Sequence, residues 1–121
     1  LAIRPYAKVW RGDALVSFAR EHIAEDAEEQ ARVLASGGEV WRTQDGKLRV
    51  QGVIQVTRTL GDLALQKYGL TPEPEVQELT LTPEDNLLVL GSDGLWDVLD
   101  DARIVHCCRT TAQSPDMIAK R

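Results

Sequence analysis

The sequence predicts a mixed α/β fold of the α+β kind, in which largely antiparallel strands form hairpins and helices lie between them. Glycine and aspartate stand together at positions 12–13 and 45–46, each time between two short stretches of strand-forming residues, which is the pattern of a β-hairpin. Asp26–Ser36 has the acidic start and the composition of an amphipathic helix. Leu87–Leu90 is a short apolar run closed by glycine, which is typical of a core strand.

The composition is that of one globular domain with a modest core: 121 residues, of which 43% are hydrophobic and 27% are charged. The net charge of -5 argues against nucleic acid as a partner, because phosphates require clustered lysine and arginine. No apolar stretch approaches the ~18 residues of a membrane span, and no signal-peptide pattern opens the chain. We therefore expect a protein that binds neither nucleic acid nor membrane.

The first half of the chain is predicted to contain two hairpins and one long helix. Ala7–Trp10 alternates apolar and polar side chains, Ala14–Ala19 follows as its partner strand, and Glu39–Val50 is the second hairpin. The helix Asp26–Ser36 should end at the glycine pair 37–38, because glycine is the usual C-cap residue.

One face of this helix is expected to cover a sheet, and its acidic start, Glu25–Glu29, is expected to be solvated. The residues assigned to the covered face are Ala27, Ala31, Leu34 and Ala35.

The second half is predicted to alternate extended segments with short helices. Alternation over Val76–Leu81 predicts a strand, and the run Leu87–Leu90 predicts a strand that is buried on both faces. The remaining elements are a short helix or turn at Leu63–Gly69, a helical turn at Leu95–Leu99, a helix over Ala102–Thr111 with Ile104, Val105 and Cys108 buried, and a last helix, Asp116–Arg121, that Pro115 starts.

The two cysteines, Cys107 and Cys108, are adjacent in an apolar helical context, and the chain has no third cysteine. Residues that are neighbours in sequence rarely form a disulfide with each other. Free thiols in a reducing compartment are therefore predicted, as in a cytoplasmic or nuclear protein.

Asp93 has the most distinctive setting in the chain, because it follows the apolar run and stands between Ser92 and Gly94. Small neighbours let a ligand approach the backbone closely, and a hard cation such as Mg2+ prefers carboxylate oxygens. Aspartate is also a favoured N-cap, so Asp93 could serve only to cap the helix that starts near Leu95. The spacing alone favours the cap.

Three motifs add to this interpretation. Glu28–Gly38 reads EEQARVLASGG, Val56–Asp62 reads VTRTLGD, and Ser92–Leu99 reads SDGLWDVL. In these motifs the chain resembles the metal-dependent Ser/Thr protein phosphatases of type 2C, with the motifs in that family's order and at about its spacings. The resemblance runs from about Gly12 to Thr111.

The resemblance implies both a fold and an activity. The family's fold is an antiparallel β-sandwich flanked by helices, and residues 1–121 would form a partial type 2C phosphatase-like domain, the middle-to-late part of that fold. The implied activity is hydrolysis of phosphoserine and phosphothreonine in proteins, with two Mg2+ or Mn2+ ions activating a water. The implied partner is a phosphoprotein substrate, and we expect a monomer.

The resemblance also implies two metal ligands. Asp93 matches a metal-ligand position of the family, and Arg20-Glu21-His22 resembles the family's Arg-Asp-His, whose aspartate can help to hold an accessory metal ion. Glu21 is thus the second candidate, although its side chain is one methylene longer, and its alternative is a solvated carboxylate. His22 is expected to be a structural hydrogen-bonding residue.

Three further residues of the motifs are expected to shape the site without binding metal. Arg58 could bind phosphate through its guanidinium, but the family's phosphate-binding arginine lies near the N-terminus of its domain, so Arg58 and Asp62 are expected to organise the loop beneath the site. Asp97 is expected to cap or brace the turn after Asp93.

The sequence also departs from the family. Ile3–Tyr6 stands where the family has Gly-Asp-Ser-Arg, and neither the family's Asp-Gly-His-Gly-Gly motif nor its late Asp-Asn pair is found. We therefore expect the chain alone to be weak or inactive and its parent domain to be a phosphatase. The alternative is a non-catalytic relative that uses the fold as a binding or regulatory module.

Overall fold

The computed structural model describes residues 6–111 and 114–120, so most of the segment Ile3–Tyr6 lies outside the described residues. The secondary structure confirms a mixture of helices and antiparallel sheets. The elements are β1 (Tyr6–Arg11), β2 (Ala14–Ser17), α1 (Ala27–Ala35), β3 (Val40–Arg42), β4 (Leu48–Val50), α2 (Leu63–Gln66), β5 (Asp85–Gly91), α3 (Asp93–Trp96), α4 (Asp101–Thr110) and α5 (Pro115–Ala119).

The chain divides into two compact units, and each is described by itself. Unit 1 consists of residues 21–76 and contains α1, β3, β4 and α2. Unit 2 consists of the described residues in 6–20 and from 77 onward, and contains β1, β2, β5, α3, α4 and α5.

Unit 1 is built on the predicted second hairpin and the long helix. β3 and β4 pair antiparallel, and the turn between them closes with a hydrogen bond of 2.9 Å from the Gly46 N–H to the Thr43 carbonyl. Gly46 has a φ of 80°, a conformation that costs glycine little. The core consists of Ala24, Val33, Val50 and Leu70, with Val40, Leu48, Ile54, Leu65 and Tyr68 packed against it.

Helix α1 has the predicted ends but not the predicted face. The Asp26 carboxylate accepts hydrogen bonds from the N–H groups of Glu28 and Glu29, which makes Asp26 the N-cap, and the helix gives way to the glycine pair 37–38 after Ser36. Its two buried residues are Glu29 and Val33.

The prediction of a covered face made of Ala27, Ala31, Leu34 and Ala35 is therefore wrong. All four residues are exposed, and 52% of Leu34 is accessible. The prediction failed because it required every buried position to be apolar, whereas the buried face carries a carboxylate.

Unit 2 contains a three-stranded antiparallel sheet in the order β2-β1-β5, which confirms the predicted first hairpin. Val9 is the buried residue of the central strand and stands opposite Val16 on one side and Leu88 on the other. In helix α4, Ile104, Val105 and Cys108 are buried, as predicted.

Strand β5 was correctly predicted, but its burial on both faces was not. Its residues alternate between partly buried and exposed along the whole strand, and Leu88 and Leu90 are 54% and 71% accessible. β5 is an edge strand of its sheet. Of the two faces of β5, one is covered within the part of unit 2 that the structure describes. A continuous apolar run therefore does not by itself indicate two covered faces.

The predicted strand Val76–Leu81 is wrong. The segment has no strand assignment, and Val76 and Leu81 are 79% and 72% accessible. Alternation of side chains satisfies only one requirement of a strand, since the backbone groups also need a neighbouring strand, and none of the described residues provides one here.

The cysteines are free thiols, as predicted. Burial is the main cause that raises the pKa of the Cys108 thiol, and the adjacent Cys107 raises it further. Cys108 therefore remains protonated and behaves as a small apolar residue.

Candidate functional site

The turn after β5 carries Asp93, the residue on which the functional prediction depends. The strand ends at Gly91, Ser92 has an extended backbone as the N-cap residue of α3, and Asp93 is the first residue of that helix. The Leu95 N–H donates to the Ser92 carbonyl at 2.9 Å, and the Asp97 N–H donates to the Asp93 carbonyl at 2.9 Å. The sheet edge thus passes directly into a short helix, with a carboxylate at the junction.

Asp93 is not the N-cap of this helix, since that position belongs to Ser92. The capping interpretation, which the spacing alone favoured, is therefore wrong. Asp93 is half-buried and has polar interactions of its own within the chain. Its assignment as a metal ligand stays a prediction.

The position of α3 is fixed by its tryptophan. The Trp96 indole N–H donates to the Gly91 carbonyl at 2.9 Å, and the Trp96 and Tyr6 rings meet edge to face with centroids 5.6 Å apart. A Cβ at position 91 would lie 2.6 Å from Cδ2 of Leu95 and 3.1 Å from the Trp96 ring, so a larger residue there would require these side chains to shift. The contacts of Trp96 with Gly91 and Tyr6 therefore fix the orientation of α3 relative to the end of β5, where Asp93 lies.

In unit 1, the segment that contains Glu21 is attached to the Val56–Asp62 motif. The Thr57 N–H donates to the His22 carbonyl at 2.9 Å, and Ile23 pairs with Val56 as an antiparallel bridge. Nε2 of His22 lies 3.0 Å from Oε2 of Glu75, which agrees with a structural role for His22. Glu21 itself is partly buried. The backbone that follows it, at His22 and Ile23, is held by these contacts with Thr57 and Val56.

The carboxylate of Glu29 in unit 1 is 1% accessible and accepts hydrogen bonds from three side chains. Its Oε1 accepts from Nη2 of Arg58 at 2.6 Å, and its Oε2 accepts from Oγ1 of Thr57 at 2.5 Å, from Nη2 of Arg32 at 2.8 Å and from Nε of Arg58 at 3.1 Å. Burial alone would raise the pKa of the Glu29 carboxyl, but these hydrogen bonds together hold it well below its ordinary value.

This arrangement corrects the prediction that the acidic run Glu25–Glu29 is solvated. Glu29 faces inward because two guanidinium groups and a hydroxyl compensate for the loss of its hydration. The one signal in the sequence was the spacing of Glu29 and Arg32, three residues apart on one helix face, and such a spacing is also common on solvated faces.

Both arginines extend the network to backbone carbonyls. Arg32 donates to the carbonyl oxygens of Gly69 and Thr57, and Arg58 donates to that of Glu73. The Arg58 guanidinium is engaged by Glu29 through two nitrogens, as expected for a residue that organises its loop. Asp62 lies at the N-terminus of α2 with a φ of 49°, a left-handed conformation that aspartate tolerates better than most residues.

The described residues do not form a metal site by themselves. No group of three or more His, Cys, Asp or Glu side chains is placed to hold a metal ion among residues 6–111 and 114–120. Glu21 belongs to unit 1 and Asp93 to unit 2, so the structure describes each candidate within its own unit. The donor set of the described residues is thus incomplete for a two-metal centre, and no catalytic step through a metal follows from it.

Comparison with known proteins identifies the class of protein. The family model described as Protein phosphatase 2C matches residues 9–121. The chain therefore belongs to the protein phosphatase 2C family, as its motifs predicted.

Individual relatives agree with this assignment. A "Protein kinase and PP2C-like domain-containing protein" of Arabidopsis thaliana is 38% identical over 106 residues, which are 87% of this chain and 16% of that protein. Among solved structures, a sex determining protein of C. elegans superposes with a TM-score of 0.81 at 28% identity, over 93% of this chain and 27% of that one. A serine-threonine phosphatase 2C from Toxoplasma gondii shares the fold, with a TM-score of 0.78 at 22% identity over 98% of this chain and 44% of that one.

This chain thus spans about a sixth of the length of the Arabidopsis thaliana relative.

Among the described residues, no helix has the length and apolar character needed to cross a membrane.

Proposed function

We propose that the domain to which this chain contributes is a metal-dependent protein serine/threonine phosphatase that hydrolyses phosphoserine and phosphothreonine in phosphoprotein substrates. The observation that carries the proposal is the family match over residues 9–121, which includes the strand–helix junction at Asp93. In this proposal Asp93 and Glu21 are metal ligands for Mg2+ or Mn2+, and the other ligands of the two ions come from outside this chain. The chain alone is then weak or inactive, and the parent domain acts as a monomer in the cytoplasm or nucleus.

The carboxylate chemistry of the two candidates supports this assignment. Mg2+ and Mn2+ prefer hard oxygen ligands, and both candidates carry carboxylates at places where the backbone is held firmly. The Asp93 backbone is fixed by the hydrogen bonds of α3, and the backbone beside Glu21 is fixed through His22 and Thr57. Rigid support of this kind is what a ligand requires if it is to meet a metal without reorganisation.

The test is a comparison of Asp93→Ala with Asp97→Ala in the parent protein. We expect Asp93→Ala to lower Mn2+-dependent phosphate release from a phosphopeptide by at least about 100-fold, because metal-derived stabilisation is worth several kcal/mol. Asp97→Ala removes the same charge from the same turn and should change the rate by no more than about threefold. Calorimetric titration with Mn2+ should show a matching loss of metal affinity in Asp93→Ala alone. Equal behaviour of the two variants would refute the role of Asp93.

A second candidate function is a non-catalytic binding or regulatory module, which is favoured by the lack of a three-residue metal cluster among the described residues. In that case the parent protein would bind a phosphopeptide without releasing phosphate. Mn2+ would then leave both the rate and the heat of titration unchanged.

A further inference from the structure

Lys8 occupies an unusual place for a charged side chain. It lies in β1, the central strand of the three-stranded sheet, opposite Ser17 on one side and Val89 on the other. Its side chain is 15% accessible. Burying an ammonium group costs free energy that an apolar side chain at the same position would not cost. The stability of the sheet alone therefore does not account for a lysine at this position.

The Lys8 ammonium contacts two aromatic rings and one carboxylate. Its Nζ is 5.2 Å from the centroid of the Trp96 ring and 5.5 Å from that of the Tyr6 ring, and both distances are within the range of about 6 Å for a cation–π interaction. Nζ also donates to Oδ1 of Asp101, the first residue of α4, whose side chain is 52% accessible. These partners compensate for the hydration that the ammonium group loses.

Trp96 connects Lys8 to Asp93. Both Asp93 and Trp96 belong to α3, a single turn that begins at Asp93 and ends at Trp96. A single turn has little stability of its own, so the side chains that hold it set its orientation. The Trp96 indole N–H donates to the Gly91 carbonyl, and Tyr6 and Lys8 contact the ring itself. The direction in which α3 presents the Asp93 carboxylate therefore depends on Lys8.

We propose that Lys8 is a positioning residue for Asp93, because its ammonium group fixes the Trp96 ring and, through this ring, the turn that carries the carboxylate. A cation is not a metal ligand, so Lys8 acts on the site through Trp96. This inference rests on the proposed function, since Lys8 has this role only if Asp93 serves the reaction. The effect of Lys8 on the Trp96 ring can be measured without any reaction.

The first measurement follows the Trp96 ring in the 15N-labelled chain. The sequence has three tryptophans, and Trp96→Phe assigns the Trp96 indole N–H signal because it removes one of the three. Lys8→Met keeps most of the side-chain length and removes the charge. We expect it to raise the hydrogen-exchange rate of the Trp96 indole N–H about tenfold, because a largely desolvated cation–π contact is lost.

The second measurement is the activity of the parent protein on a phosphopeptide. We expect Lys8→Met to lower kcat about tenfold and to leave KM within about twofold, because the change acts on the orientation of Asp93 and not on substrate binding. Lys8→Arg keeps a cation beside the rings and should restore both kcat and indole exchange to within about twofold of the original values.

Two control variants separate this role from a general effect of charge. Arg103→Met removes the same charge from an exposed position of α4 and should change neither kcat nor indole exchange by more than about twofold. Asp101→Asn removes the exposed carboxylate partner of Lys8 and should change both by no more than about threefold, because such a pair is screened by solvent.

The outcomes distinguish a failure of this inference from a failure of the proposed function. If Asp93→Ala abolishes activity but Lys8→Met leaves kcat unchanged, the role of Lys8 is overturned and the proposed function stands. This holds even if indole exchange becomes faster, since Lys8 then only stabilises the ring. If Asp93→Ala keeps its activity, the proposed function is refuted, and the role of Lys8 with it. If Lys8→Met does not fold, Lys8→Gln decides the question by the same two measurements.

Discussion

Replacing Glu29 by glutamine should destabilise unit 1 by about 3–5 kcal/mol, the usual cost of removing one partner from a buried ion pair. The Glu29 carboxylate is 1% accessible and accepts hydrogen bonds from three side chains. Glutamine preserves the size of the side chain, but its NH2 group cannot accept from Arg58, whose side chain is 19% accessible. The substitution therefore removes the nearest counter-charge of a largely buried guanidinium, which retains the Glu75 carboxylate at 4.0 Å.

The assay is a urea titration followed by the indole N–H signal of Trp41, the one tryptophan in the sequence of residues 21–76. The free energy of unfolding is obtained by linear extrapolation. Glu28→Gln is the matched control, because Glu28 precedes Glu29 in the same helical turn and is exposed. Its loss should cost less than about 1 kcal/mol, the size of a charge interaction with a helix N-terminus.

The reasoning is refuted if Glu29→Gln and Glu28→Gln destabilise unit 1 equally. A double-mutant cycle adds a second criterion. Arg58→Met removes the guanidinium while keeping most of the side-chain length, and it should couple to Glu29→Gln by at least about 1 kcal/mol. Additive effects would show that Glu29 and Arg58 do not stabilise each other.

Two further predictions concern other parts of the chain. Hydrogen bonds, above all from Arg11, lower the pKa of Asp85 from 3.8 to about 2, so the stability from this depressed pKa is present above about pH 4 and is lost as the pH falls toward 2. Asp85→Asn should therefore make the free energy of unfolding of unit 2, measured with urea, depend less on pH between about 4 and 2. An unchanged pH dependence would contradict this prediction. Gly38→Ala should destabilise unit 1 by about 2–3 kcal/mol, because a Cβ there would lie 2.1 Å from the Tyr68 carbonyl oxygen. Gly37 is the control: a Cβ there would meet open space, but its φ of 81° is unfavourable for alanine, so Gly37→Ala should cost about 1 kcal/mol. Equal losses of stability in the two variants would contradict the clash at position 38.

Local signals in the sequence predicted much of the fold. The glycine–aspartate pairs at positions 12–13 and 45–46 indicated both hairpins, because these turns need residues that accept unusual backbone angles. Asp26 and the glycine pair 37–38 indicated both ends of α1, since they satisfy backbone groups that the helix leaves unpaired. Such signals act over a few residues and can be recognised without knowledge of the tertiary structure.

Burial could not be predicted in the same way. The inward position of Glu29 depends on Arg58, which is 29 residues away in sequence, and no local pattern records that distance. The exposure of Leu88 and Leu90 depends on which face of β5 another part of the protein covers. Helical and strand periodicity indicate which residues share a face, but whether that face is covered is a property of the surroundings.

The three motifs that carry the family resemblance have different roles in the structure. Glu28–Gly38 and Val56–Asp62 meet in unit 1 through the Glu29 carboxylate and the Arg58 guanidinium, so a match to these two motifs reports a structural contact. The motif Ser92–Leu99 instead presents a half-buried carboxylate at the end of a strand, without using it as the helix cap. A relative that had lost catalysis would still need the contact between the first two motifs for its fold, whereas the role proposed for Asp93 is to bind metal. Under the proposed assignment of Asp93 as a metal ligand, this residue distinguishes an enzyme from a binding module, and the comparison of Asp93→Ala with Asp97→Ala addresses it directly.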